Sequence, residues 1–318
     1  MDNLSKSRKD EFSFKCADFI PFKDKEVIER VRKIHGQALT KHSNPDFKIN
    51  IIPDALIENI FVTDMFYEIK KASEEGRKVV FIIPNPNPSY LKLAWMINRF
   101  KLDVKHVYTF NMDEWADDMG NIAPESWNAS FMNSTKRFFY SQIDPKLRMD
   151  EKQIQGPTNE NIEDYSDMIL QAGGADVCYS GPGWTGHLAF IEPDVPEFAG
   201  SLDEFLKMGA RVTSLNPLTV AQNSLHGCFG ASGDLAAVPP KAATIGPKDV
   251  LAAKRRFEIH SLTTAGTFVT WQRMISRLVL HGPVTPKVPS SILQLAPTDV
   301  YVSETLAAPI EPDWIFQY

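Results

Sequence analysis

The stretch Thr109-Phe110-Asn111-Met112-Asp113-Glu114-Trp115 decides the fold. It continues an apolar run from Val104 that reads as a buried strand. Two carboxylates therefore stand where a strand ends. In open parallel α/β sheets that edge is where ligands bind. A second edge follows, where Ala175-Asp176-Val177-Cys178-Tyr179 reads as a strand. It runs into Ser180-Gly181-Pro182-Gly183-Trp184-Thr185-Gly186-His187-Leu188-Ala189-Phe190-Ile191-Glu192-Pro193. The two edges bring forward Asp113, Glu114, His187 and Glu192 as members of one acid/base pocket.

Outward from these edges, strands alternate with helices. Apolar spacing predicts helices over 24–40, 54–74, 89–100, 126–142 and 266–280. Short β-rich runs predict strands at 79–83, 104–110, 175–179, 211–215, 242–245, 257–262 and 300–302, with a short extended piece at 51–53 after a break at 46–50. Such alternation argues for a parallel sheet with helices on both faces. Residues 1–46 read as an N-terminal extension with one helix, and 47–318 as a single α/β domain.

The 318 residues are 43% hydrophobic and 23% charged, enough for a substantial core. A net charge of −6 supplies no basic field for nucleic acid. Three widely spaced cysteines suggest neither a disulfide framework nor a zinc knuckle, and a reducing cytoplasm is the natural compartment. Residues 1–14 are polar and charged, without a signal-peptide core. No run approaches the roughly 18 apolar residues of a membrane span.

The Asp113-Glu114 pair reads either as a solvated turn or cap, or as a proton-transfer group whose pKa is raised by Phe110, Met112 and Trp115. The glycines at 181, 183 and 186 suit any tight strand-to-helix turn. His187 directly after them can serve as a base near neutral pH, and Glu192 can orient its second nitrogen. Their spacing does not match zinc ligands on a helix. His226, His260 and His281 read as structural or surface histidines. Lys254-Arg255-Arg256 reads as a solvated helix end.

These residues resemble a known family. The segments 109–114 and 186–193 look like the two signatures of glucosamine-6-phosphate deaminases (isomerases). Pro124-Glu125-Ser126 and Ser290-Ser291-Ile292-Leu293-Gln294-Leu295-Ala296-Pro297 resemble two further family segments. The resemblance implies a Rossmann-like three-layer α/β fold and aldose–ketose isomerisation with loss of ammonia. It implies that Asp113 shuttles a proton between sugar carbons and that His187, supported by Glu192, assists ring opening. It implies no metal and no redox cofactor.

Departures from the family pattern fall on the phosphate side. Where the family has a glycine-rich anion turn, this chain has Asn85-Pro86-Asn87-Pro88-Ser89. Proline has no N–H to donate, so an anion nest is hard to build there. The family's phosphate arginine falls at Val220 and its lysine at Thr267; Arg211 and Arg273 are the basic residues available to compensate. Thr185 replaces the acid that normally stands two residues before the histidine. Trp184 either stacks on a sugar ring or packs in the core.

The expected function is therefore a sugar or amino-sugar isomerase/deaminase with an altered phosphate site, which leaves room for an unphosphorylated sugar or another polyol-like compound as substrate. Asp113, His187 and Glu192 are its catalytic candidates. Glu114, Asn85, Asn87, Ser89, Gly181, Gly183, Trp184, Thr185 and Gly186 are its substrate-binding candidates. The alternatives are a sugar lactonase in which His187 activates water, and a non-catalytic sugar-binding protein. A homo-oligomer stays open.

Overall fold

The structure, a computed structural model, describes residues 14–84, 88–261 and 270–312. Its elements open with α1 (Lys25–Arg32), β1 (Phe47–Ile52), α2 (Ile57–Glu74), β2 (Val79–Ile83), α3 (Ser89–Phe100), β3 (Val107–Asn111) and β4 (Asp113–Ala116). Next come α4 (Phe131–Phe138), β5 (Ile154–Gln155), α5 (Tyr165–Gln171), β6 (Val177–Ser180), α6 (Leu202–Phe205), β7 (Arg211–Ser214) and α7 (Pro217–Asn223). The chain closes with β8 (Lys241–Thr244), α8 (Pro247–Ala252), β9 (Arg255–His260), α9 (Gln272–His281), β10 (Thr298–Ser303) and α10 (Glu304–Ala307).

Among the described residues the strands form two sheets. The larger has seven strands in the order β1-β10-β9-β6-β2-β3-β5. All its pairings are parallel. Every residue of β2 is buried, because both faces of the sheet are covered. Val79, Phe81 and Ile83 pack with Phe61, Met65 and Leu93 of α2 and α3. Val80 and Ile82 face the opposite core with Tyr165, Phe205 and Leu306. The expected α/β fold, a mostly parallel sheet flanked by helices, is the fold found. No helix among the described residues is long and apolar enough to cross a membrane.

The N-terminal segment packs onto this body. Val31 of α1 lies in one cluster with Leu278, Val279 and Val288. Arg277, fully buried, donates to the carbonyls of Ile34, Arg273, Leu306 and Ala308 and so ties that segment to the C-terminal part.

Several expectations are corrected. Strands 211–215 and 242–245 exist, but they form a small antiparallel sheet, β4-β8-β7, apart from the parallel one. Of the expected break at 46–50, all but Asp46 is strand: Phe47 and Ile49 alternate inward along β1. The expected helix over 24–40 stops at Arg32 and resumes as a 3₁₀ turn at Gly36–Thr40. The helix over 126–142 starts only at Phe131, where Ser130 caps it through the Asn133 amide. Lys254-Arg255-Arg256 is no solvated helix end. Arg255 and Arg256 lie in β9, and Arg256, 2% exposed, donates to the carbonyls of Pro297, Leu251 and Ala253. Of the expected helix 266–280, residues 266–269 lie outside the described residues.

Candidate active site

From β2 the chain steps outward to β3 and β5 on one flank, while β6, β9 and β10 lie on the other. The carboxyl ends of β2 and β6 are therefore the point where the connections diverge, and an open crevice forms at such a point. Pro84 and Gly181 leave the sheet there, and Asp113 leaves the neighbouring end of β3. Asn85, Asn87 and Thr267 lie outside the described residues. Ser89, expected to bind substrate, donates to Glu58 on α2 at 2.6 Å.

The turn after β6 is built around His187. Gly183 N–H donates to the His187 carbonyl at 3.0 Å, and Gly186 N–H to the Gly183 carbonyl at 2.9 Å. Gly186 has φ +78°, open to glycine without strain. A Cβ at Gly181 would stand 2.8 Å from the Ile259 carbonyl oxygen, so this glycine lets the turn lie on β9. Ser290 buttresses the turn from below, its N–H on the Gly186 carbonyl at 2.8 Å and its hydroxyl on the His187 carbonyl at 2.9 Å. That places the 290–297 segment beneath the histidine.

Three oxygens surround His187 Nδ1. Thr185 Oγ1 and Thr219 Oγ1 each lie at 3.0 Å, and Glu192 Oε1 at 3.5 Å. The Thr185 hydroxyl donates to Glu192 Oε2 at 3.2 Å. With that proton committed, Thr185 accepts from Nδ1–H, and the ring lone pair falls on Nε2. Thr185 thus links the ring to a buried carboxylate, although it carries no charge itself. Glu192 is fully buried and His187 is 4% exposed. Thr219 went unremarked in the sequence. Its signal was the Asn216-Pro217 pair: Asn216 caps α7 through the Leu218 amide, with Pro217 at its first position. One turn further, Gln222 Oε1 accepts the Trp184 N–H at 2.7 Å. His226 also belongs to this neighbourhood: burial, then the like charge of His187, holds its pKa down.

Asp113 opens β4 and pairs in register with Thr244 of β8. Thr244 Oγ1 accepts the Phe190 N–H at 3.1 Å, which joins the histidine loop to the strand pair carrying Asp113. The Phe190 ring sits between Trp115, at 5.1 Å, and His187, at 6.0 Å between centroids. Asp113 is 4% exposed, and its Oδ1 is buried with no hydrogen-bond partner. Burial, reinforced by the neighbouring Glu114, holds its pKa well above the ordinary carboxylate range. Glu114 is occupied differently. Its oxygens accept from the amides of Trp115, Phe131 and Met132 and from the Ser130 hydroxyl, at 2.8–3.0 Å. It anchors the N-terminus of α4, where backbone N–H groups favour an anion. Its pKa is nonetheless raised, chiefly by burial.

A second polar group lies at the end of β9. Glu258, fully buried, accepts from Ser180 and stands 3.7 Å from His260 Nε2. His260 Nδ1 pairs with Ser276 at 2.8 Å. Burial pushes Glu258 up to about 8 and His260 down to about 3, so neutral forms face one another.

Val220, at the position expected for the family's phosphate arginine, packs against the aromatic cluster of Trp115 and Phe131. Arg211 donates to the carbonyls of Gly209 and Glu197, and Arg273 to those of Ala308 and Pro309. Trp184 stacks on Trp271, centroids 5.4 Å apart and planes at 18°.

No protein-family model matches the chain. A glucosamine-6-phosphate deaminase from Halothermothrix orenii is 29% identical over 70% of this chain and 83% of its own length. Glucosamine-6-phosphate deaminase 2 of Bacillus subtilis is 31% identical over 61% of this chain and 69% of its own. Among solved structures, a monomeric glucosamine-6-phosphate deaminase superposes with a TM-score of 0.67 at 20% identity, covering 82% of this chain and 99% of that one, a likeness of fold. With both signature segments folded about one sheet edge, this chain belongs to the glucosamine-6-phosphate deaminase family.

Proposed function

We propose that the chain catalyses isomerisation of an unphosphorylated sugar or amino sugar, with deamination where the substrate carries an amine. Asp113 is the proton shuttle, and the observation that carries this role is its buried carboxyl just past the end of β3, whose Oδ1 has no hydrogen-bond partner. Burial raises its pKa, so once ionised it is a stronger base toward a carbon-bound proton than an ordinary, well-solvated carboxylate. His187, with Nδ1 fixed by Thr185, Thr219 and Glu192, presents Nε2 to the ring oxygen and assists ring opening. Gly183 and Gly186 shape the turn that holds it.

The unphosphorylated substrate is supported by Val220 in an apolar cluster and by Arg211 on backbone carbonyls. A buried phosphate without a cation carries a large desolvation cost. The expected setting is a reducing cytoplasm.

The test is exchange of substrate carbon-bound hydrogen with D₂O, followed by NMR for hexoses and hexosamines without phosphate. Wild type should exchange the hydrogen beside the carbonyl carbon, and Asp113→Asn should not. Equal exchange by both proteins removes Asp113 from the mechanism. Sugar binding without any exchange by wild type favours a binding protein instead.

A further inference from the structure

We infer that Trp184 and Trp271 together form the aromatic wall of the substrate cleft, against which the apolar face of an unphosphorylated pyranose lies. This rests on the unphosphorylated-substrate reading above and adds a residue, Trp271, that neither signature segment contains.

Both indoles are half-buried. Trp184 belongs to the turn that carries His187, and its backbone is pinned by Gln222 at 2.7 Å. The His187 ring is held by Thr219, one turn earlier on the same helix α7. One short helix therefore sets the indole's backbone and the imidazole relative to each other. Trp271 comes from elsewhere, from the residue just before α9, and its ring stacks on Trp184 at 18°. The Gln272 side chain reaches the Pro182 carbonyl at 3.4 Å, a second tie between α9 and the turn. The wall is thus braced from two sides.

Its chemistry suits a sugar. An indole face attracts the C–H face of a pyranose and an adjacent ammonium group alike. The Trp271 Nε1–H is sealed from solvent and, among the described residues, has no acceptor. A buried donor without a partner is costly, and a sugar hydroxyl arriving at the wall would satisfy it. Asp113 Oδ1, at the neighbouring strand end, is a buried acceptor that likewise has no hydrogen-bond donor. A half-buried indole face with an orphan N–H donor, near a buried carboxyl oxygen that also lacks a partner, matches a polyol that brings hydroxyls of its own.

The experiment is calorimetric titration of glucosamine, galactosamine and glucose into wild type, Trp271→Phe and Trp271→Leu, with thermal melts as a check of folding. Phenylalanine keeps an aromatic face; leucine keeps apolar bulk without one. Wild type should bind at least one of the three sugars. Trp271→Phe, which keeps the face but loses the Nε1–H donor, should weaken by about threefold, and Trp271→Leu by about tenfold or more. Leucine and wild type binding alike would overturn the aromatic wall, as would wild type binding none of the three. Robust ammonia release from glucosamine 6-phosphate would overturn the unphosphorylated-substrate reading separately; the Phe/Leu comparison, repeated with that sugar, would then decide whether the wall exists.

Discussion

The imidazole of His187 lies directly against the backbone of Gly183: a Cβ built at position 183 would stand 1.8 Å from His187 Nε2. The glycine is therefore required by close approach, and the atom it accommodates is the one left to act on a ligand. Gly183→Ala must displace either the ring or the turn. The expected outcome is a loss of about 1–3 kcal/mol in thermal or denaturant unfolding, as for overpacked sites. Turnover should fall at least a hundredfold, since roughly 1 Å of misplacement costs that much.

Asp113 sets function against stability. Its folded pKa lies above the unfolded value, so the folded state holds a proton that the unfolded state releases. The sign follows: stability falls as pH rises above the ordinary carboxylate value of 3.8 toward the raised one. Asp113→Asn removes that dependence. The variant should unfold later than wild type at pH 7–8, while losing proton exchange. Denaturant melts across pH check the first half.

Glu258 gives a second pH signature. Its carboxyl moves from 4.5 to about 8 on folding. Between those values wild type should lose about 1.4 kcal/mol of stability per pH unit on its account, at most. Glu258→Gln should be flatter across the same window. His260, pushed down to about 3, acts in the opposite sense, losing stability as pH falls from 6.5 toward 3, and is common to both proteins. Parallel profiles for the two proteins would mean that Glu258 is not held protonated.

Glu114 should behave as an anchor. Glu114→Ala strips the acceptor from the Trp115 amide of β4 and from two amides and a hydroxyl at the start of α4, and is expected to cost about 3 kcal/mol or more. Glu114→Gln keeps the shape but turns a donor toward donors, and should fall between. A melting temperature unchanged in the alanine variant would contradict the anchoring role.

The parallel half of the fold was legible because its strands are apolar runs bounded by turn residues, as at 79–83 and 104–110. The antiparallel sheet was not, because β4 is Asp113-Glu114-Trp115-Ala116 and its burial comes from β8, far along the chain. Two acids in a buried strand look like a turn until their partners are known. Arg256 misled in the same way: its strand position depends on carbonyls from Pro297 and Leu251 that sequence spacing does not reveal. At the candidate site, Asp113, His187 and Glu192 could be proposed locally, since each lies in a signature segment. Their neighbours Thr219, Gln222 and His226 could not, because each enters from another element. Ser89 and Glu114, also substrate-binding candidates, have partners within the protein: Ser89 donates to Glu58, and Glu114 accepts from the Trp115, Phe131 and Met132 amides and the Ser130 hydroxyl.

The most direct measurement is ammonia release from glucosamine 6-phosphate and from glucosamine, each at about 1 mM, a typical upper KM. Each lost charge-assisted contact to a desolvated phosphate costs about 1.5–3 kcal/mol, so loss of the contacts expected at the proline loop, Val220 and Thr267 weakens recognition by several powers of ten. The expected result is release from glucosamine 6-phosphate at or near background and faster release from glucosamine. Robust release from glucosamine 6-phosphate would contradict it, and would mean that other residues rebuild the phosphate site.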